Sequence, residues 1–558
     1  MIPRRQRRAF VLPVILVLLA LLTLTMAGFV FFVRAEVAGL NAHAGQQQAR
    51  LAAESGLEEI VALLRVAKHD STQWFDNPQR MRHSLVWSRQ YRRDADPVRE
   101  LGSRREVLAD RNAAAEAWRW SACAPRYDLS NAQSFRYGIT PESAKINLNS
   151  ATPQQLSVFM TPLLQTLEIE NAQELIAGLV DWRDPDSNVT PGGAENEWYN
   201  TLKPAYNVKN APFDTVEELL LVKGWNAIAL YGEDTNRNGI LDPNEDDGDA
   251  SPPAWDNGDG ILNFGVAPFL TVSTREPDAT LANQPRANLR GPPQALTAQL
   301  QKLFPNGELS QTTISFLTQL QGSGFDFGRL VSSAQLYTQG YVAPAAIADA
   351  GSVDADGDGL PDDGGQPSSQ PTSGPSSQPT DPSQQNPLAP PVLPQELMQS
   401  PVTLAELPFI MDGISVANPQ TATRNGIAGL INVNVAPLQV LSAIPGMTGE
   451  LANAIVATRQ TLPPEQLRTP AWILVNGLCD TATFHQIAPA ITTKAYQFQV
   501  DIVGYADHSE IARRFEWRFE MIGPLAQVQY FRELTGVGVA WPLDRDSIVL
   551  NAPGAARQ

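Results

Sequence analysis

Residues Phe10 to Val33, FVLPVILVLLALLTLTMAGFVFFV, form an uncharged run of 24 residues that restricts what this chain can become more than any other segment. At about 1.5 Å per helical residue, the run is long enough to cross a hydrocarbon core of about 30 Å. Ahead of it stands MIPRRQRRA, with four arginines and no acid. Such flanking charge keeps a short tip cytoplasmic and sends the long remainder outward. A cleaved secretory signal would have a shorter apolar centre closed by a small-x-small site, and this segment is too long and has no clear site of that kind.

After the run, QQQARLAAESGLEEIVALLRVAK (residues 46–68) continues without proline and sets Leu57, Ile60, Val61 and Leu64 at helical spacing. The expected product is one rod of some 55 residues, roughly 85 Å long, suited to lateral packing. A basic leader ending in a small residue, then Phe, an apolar segment and a protruding helix together resemble a type IV prepilin N-terminus. The resemblance implies cutting by a prepilin peptidase between Ala9 and Phe10, with Ala9 in place of the usual glycine. Most pilins carry glutamate at the fifth mature position. Here that position is Val14, preceded by Pro13, and the K-type minor pseudopilins of type II secretion are the subunits known to lack it.

A body of this length needs several compact units. Three segments repeat one pattern: KINLNSATPQQL (145–156), RANLRGPPQAL (286–296) and LINVNVAPLQVL (430–441). Each is a short apolar strand ending in Asn, followed by proline at the start of a helix, where its missing N–H costs little. The third continues as LSAIPGMTGELANAIVATR, which resembles a helix-hairpin-helix with its turn at Pro445 and Gly446. Its hairpin carries Glu450 and no base before Arg459, which disfavours phosphate binding. Residues 175–225 resemble the helical domain inserted in K-type pseudopilins: acids from Asp181 to Asp186, a PGGAE turn from Pro191 to Glu195, then Tyr199, Tyr206 and Phe213. Helix capping and loop solvation are the expected roles of Asp181, Asp184 and Asp186. At the end, YQFQVDI (496–502) and FEWRFEM (515–521) alternate strictly, as strands covered on one face do, with Glu516, Arg518 and Glu520 expected in solvent.

The expected fold class is therefore α+β: a pilin-like fold, with the long N-terminal helix on an antiparallel sheet, carrying a large inserted α-helical domain with helix-hairpin-helix-like units. The expected divisions are a leader (1–9), the transmembrane part of the helix (10–33) and its periplasmic continuation (34–68). They continue as the first part of the α+β domain (69–149), the inserted helical domain (150–232), an acidic loop region (233–265) and a second repeat-like unit (266–345). An acidic loop with a Pro/Ser/Gln-rich linker (346–400), the hairpin unit (401–490) and the terminal strands (491–558) complete the chain.

Between Glu233 and Asn263 lie nine acids and one base, Arg237. Within them DTNRNGILDPNE fits an EF-hand loop at each ligand position: Asp234, Asn236, Asn238, the Ile240 carbonyl, Asp242 and Glu245, with Gly239 at the turn. Calcium takes six to eight oxygens, and alternate residues of a tight loop supply them. A second, incomplete loop offers Asp354, Asp356, Asp358, the Leu360 carbonyl and Asp362, with Gly365 where the bidentate glutamate belongs. Calcium is the expected cofactor. No GxSxG, HExxH, phosphate loop or dinucleotide fingerprint occurs, and the five histidines have no ligand spacing, so catalysis has no candidate. A formal charge of −18 disfavours nucleic acid and anionic lipid surfaces.

The resemblance implies a single-pass inner-membrane protein with its body in the periplasm, at the tip of a secretion pseudopilus. Its implied partners are the I- and J-type minor pseudopilins, the major pseudopilin, the prepilin peptidase and the inner-membrane platform of the system. A minor pilin of a type IV pilus or DNA-uptake machine, and a membrane-anchored calcium-dependent binding protein, are the competing readings.

Overall fold

Helix α1 runs unbroken from Val11 to Ala67 in the computed structural model, 57 residues or roughly 86 Å at 1.5 Å each. The structure describes residues 11–87, 117–127, 135–253, 255–323, 325–338, 400–418, 426–507 and 509–541. Residues 14–44 of α1 are exposed throughout, so none of the described residues covers its apolar half. The distal half is amphipathic and lies on a sheet, burying Ala49, Ala52, Ala53, Ile60, Val61 and Leu64.

The sheet is antiparallel and is built from β1 (Ser84–Trp87), β2 (Trp118–Pro125), β3 (Phe135–Tyr137), β4 (Thr140–Pro141), β5 (Gln497–Ala506), β6 (Ala512–Ile522) and β7 (Leu525–Glu533). Its order is β1-β2-β5-β6-β7, with β3 beside β2 and β4 beside β5. Residues 142–496 are inserted between β4 and β5, yet Phe498 pairs with Pro141, so the chain leaves and re-enters the sheet at one place. The face towards α1 carries Trp120, Phe498, Val500, Ile502, Phe515, Trp517 and Phe519, which form one cluster with Ile60 and Leu64. α1 approaches so closely at Gly504 that a Cβ there would run into the Ala49 carbonyl oxygen.

The opposite face corrects a sequence expectation. Glu516 and Glu520 are buried and Arg518 is half-buried, because the insert covers the face that alternation assigned to water. Period 2 identifies two faces, but it cannot say what a later part of the chain lays over the polar one. The covered charges are paired: Arg518 with Glu516 at 2.8 Å, Arg275 with Glu520 at 2.6 Å and Lys145 with Glu142 at 3.0 Å.

The insert contains the three repeats in matching form. Each opening strand pairs in parallel with a later one: Ile146–Asn147 with Leu270–Thr271, Ala287–Asn288 with Ile414–Ser415, and Ile431–Asn432 with Ile491–Thr492. In each, the Asn side chain accepts from the amide two residues on, Asn147 from Asn149, Asn288 from Arg290 and Asn432 from Asn434. Helices α2 (Pro153–Thr166) and α3 (Ala172–Arg183) follow the first strand, and α4 (Pro293–Leu303) and α5 (Gln311–Gly322) the second. A short turn and α6 (Gly449–Arg459) follow the third. One long side chain near the end of the second helix then reaches back to the strand's carbonyls. Arg183 bonds Leu148 and Ala151, Gln321 bonds Leu289 and Gly291, and Arg459 bonds Val433 and Ala436. The first and third units share a core, in which Leu156, Leu179 and Trp182 pack with Leu441, Ile455 and Trp472; the second has its own. Cys123, on β2, and Cys479, in the insert, are both free thiols.

Candidate metal centre

The loop from Asp234 to Glu245 lies between a short helix, Ala227–Tyr231, and a 3-10 turn, Pro243–Glu245, rather than between two long helices. Its side chains turn inward. Asp234 accepts from the amides of Asn238 and Gly239, each at 3.0 Å, and Asn236 Oδ1 accepts from Asn238 N at 3.0 Å. Asn236 Nδ2 and Asn238 Nδ2 both donate to Asp242 Oδ2, at 2.6 and 2.8 Å. Glu245 closes the ring by accepting from Thr235 N at 3.0 Å and from Asp242 N at 3.3 Å. Gly239 has φ +71°, which glycine adopts without steric cost.

Electrostatics supply the test of fit. Asp234, Asn238 and Glu245 are each no more than 2% exposed. Burial, and then the neighbouring Glu245, push the Asp234 carboxyl up to about 7, and burial raises Glu245 as well. Two carboxylates enclosed with amide groups gain from a cation among them, and the donor set of carboxylate, amide and carbonyl oxygen is that of a hard ion. Among the described residues no three His, Cys, Asp or Glu side chains converge as a metal-holding group. An ion here therefore depends on the Asn side chains and the Ile240 carbonyl as much as on the acids.

The neighbouring acidic stretch is organised in a way that linear spacing did not reveal. Asn257 accepts from Asp259 N, and Asp259 from Ile261 N, as in a second loop of the same kind. The first-position role falls to Asp246, which accepts from Gly260 N at 2.7 Å as Asp234 does from Gly239. Because Asp246 stands 14 residues before Gly260, no contiguous template could have found it.

A second missed feature lies at the end of α3. Asp181, Asp184 and Glu195 are all buried, whereas capping and loop solvation had been expected for the aspartates. Asp181 is satisfied by Thr190 N at 3.1 Å. Asp184 Oδ1 and both carboxylate oxygens of Glu195 are buried without a hydrogen-bond donor. Burial, followed by Asp186, Asp181 and Glu195, pushes Asp184 up to about 7. Glu195 is raised by burial and then by Asp181, tempered by the nearby Asn196 amide and Asn210, which fall short of hydrogen-bonding geometry. Buried carboxylate oxygens without donors call for a proton or a cation. The signal in the sequence was the recurrence of acids around PGGAE; what it lacked was their depth.

The processing residues Ala9 and Phe10, and the second calcium-type loop with Asp354, Asp356, Asp358, Leu360 and Asp362, lie outside the described residues, as does the Pro/Ser/Gln-rich linker.

Residues 144–231 match the family model described as type II secretion system protein K. A stretch of 139 residues, 23% of this chain, is 33% identical to the type II secretion system protein K of Klebsiella pneumoniae and spans 42% of that protein's length. Among solved structures, a chain from the GspK-GspI-GspJ complex of enterotoxigenic Escherichia coli aligns at 11% identity over 88% of this chain and 98% of its own, with a TM-score of 0.35. That score by itself establishes no shared fold.

Proposed function

We propose that the chain is a member of the type II secretion system protein K family, and on that premise a non-enzymatic minor pseudopilin at the tip of the secretion pseudopilus. One observation carries this reading. A 57-residue helix leaves its apolar half uncovered while its distal half is sunk into a sheet that bears a very large insert. The bare half can lie in lipid before assembly and against sister stems afterwards. Val14 offers no carboxylate for a preceding subunit's amine, and an insert of this size fits where no neighbour stands above it. The body is then periplasmic, and the partners are the I- and J-type minor pseudopilins, with the major pseudopilin below.

Calcium is the proposed ion. Asp234, Asn236, Asn238, the Ile240 carbonyl, Asp242 and Glu245 would hold it. Its contribution is to neutralise buried carboxylates and fix loop geometry. The test is co-purification of the periplasmic body with the I- and J-type subunits, in calcium and in chelator. A stable complex in calcium is expected, and no complex under either condition overturns the tip assignment.

A further inference from the structure

Arg514, on β6, joins the candidate cation loop to the pilin sheet. Its Nη1 donates to the Asn236 carbonyl at 2.7 Å and its Nη2 to the Arg237 carbonyl at 3.2 Å. Asp501 on β5 holds the same guanidinium, with Nη2 to Oδ2 at 2.6 Å. The next loop residue, Asn238, is gripped by the end of the chain: its carbonyl accepts from Trp541 Nε1 at 3.2 Å and its Nδ2 donates to the Ala540 carbonyl at 2.7 Å. The Trp541 ring lies 4.2 Å from the Arg514 guanidinium. Arg514, Asn238 and Trp541 are all buried. At Gly239 the loop meets β2, where an added Cβ would strike Pro125.

The backbone from Asn236 to Asn238 thus serves two purposes. The Asn236 and Asn238 side chains belong to the ligand ring, while the carbonyls of Asn236, Arg237 and Asn238, with the Asn238 amide group, meet the sheet and the C-terminal segment. Fixing the side chains around an ion fixes those carbonyls. Beside this contact the insert and sheet are not close-packed: a cavity of about 100 Å³, lined by Lys145, Glu217, Asp501, Arg514 and Glu516 among others, lies between them. An interface with charged groups around a void depends on its rim contacts for rigidity.

We propose that the Asp234–Glu245 loop is a cation-dependent clasp: filled, it locks the helical insert onto the pilin sheet and pins the C-terminal segment through Trp541; emptied, it loosens both. The proposal rests on the reading that this loop holds calcium. Linkage makes the effect reciprocal, so whatever factor calcium adds to the docking of Trp541, Trp541 adds to calcium affinity.

The experiment uses the full chain in detergent with calcium as the probe. Heats of binding are measured beside amide hydrogen exchange of residues 535–541, in calcium and in chelator. The clasp predicts exchange slowed about tenfold by calcium in the wild type and unchanged by it in D234N. It also predicts about tenfold weaker calcium binding at the loop in W541A, which leaves every ligand in place and guards against misfolding of D234N. If D234N loses a binding heat but the segment exchanges alike in calcium and chelator, the loop holds calcium and the clasp is wrong. If D234N titrates like the wild type, the calcium reading of the loop fails, and the clasp with it.

Discussion

Replacing Arg514 by Met examines the packing of insert on sheet at its most highly charged point. Arg514 is 1% exposed and bonds Asp501 at 2.6 Å; removing one partner of such a pair leaves a buried charge and costs roughly 3–5 kcal/mol. The carbonyls of Asn236 and Arg237 lose their donors in the same step. Burial already pushes Asp501 up to about 6, although Arg514 opposes the shift. A carboxyl that holds its proton more tightly folded than unfolded stabilises the fold most below its ordinary value of 3.8, and that contribution is lost as pH rises through about 6. Without Arg514 the carboxyl moves higher still, so the deficit of R514M is smallest near pH 5 and largest near pH 8. Thermal unfolding of the full chain at both pH values, beside R513Q, reads this directly. The Arg513–Glu533 pair is partly exposed, and its loss costs about 0–1 kcal/mol. A deficit for R514M no larger than that of R513Q, or one equal at both pH values, refutes the reasoning.

Gly504 to Val drives side-chain atoms into the Ala49 carbonyl and should prise α1 from the sheet, which limited proteolysis within residues 45–67 detects as faster cutting. Arg459 to Ala leaves the Val433 and Ala436 carbonyls without that donor and should cost about 2–4 kcal/mol; Arg459 to Gln should cost less than half as much, because Gln321 fills the same role in the second repeat. Both variants are read by urea unfolding. Asp184 to Asn should stabilise the protein by about 1–2 kcal/mol at pH 8, where the native carboxyl must ionise in a buried site, and by less at pH 5. Thermal melts at the two pH values measure the difference.

What local pattern controls was legible beforehand. The rod from Val11 to Ala67 follows from uninterrupted helical spacing, and β5 and β6 from strict alternation. The three repeats were visible because each keeps its strand, its Asn and its proline. Their parallel pairing was not, since Ile146 meets Leu270 across 124 residues and no short-range signal links them. For the same reason Glu516 was assigned to water and Asp184 to a solvated loop: hydrophilic side chains reveal nothing of what packs over them. In the candidate metal centre the contiguous template located the Asp234 loop, while Asp246 and the sheet-borne Arg514 came from distant sequence. β1 went unread because four residues with irregular pairing to β2 carry too little alternation.

The most direct measurement is the mass of the mature chain recovered from secreting cells. A polypeptide beginning at Phe10, carried into a filament fraction with the other pseudopilins, is the expected result. An intact Met1, or a start beyond Val33, contradicts the account, because a stem that keeps its basic leader or loses its apolar half cannot pass from lipid into a fibre.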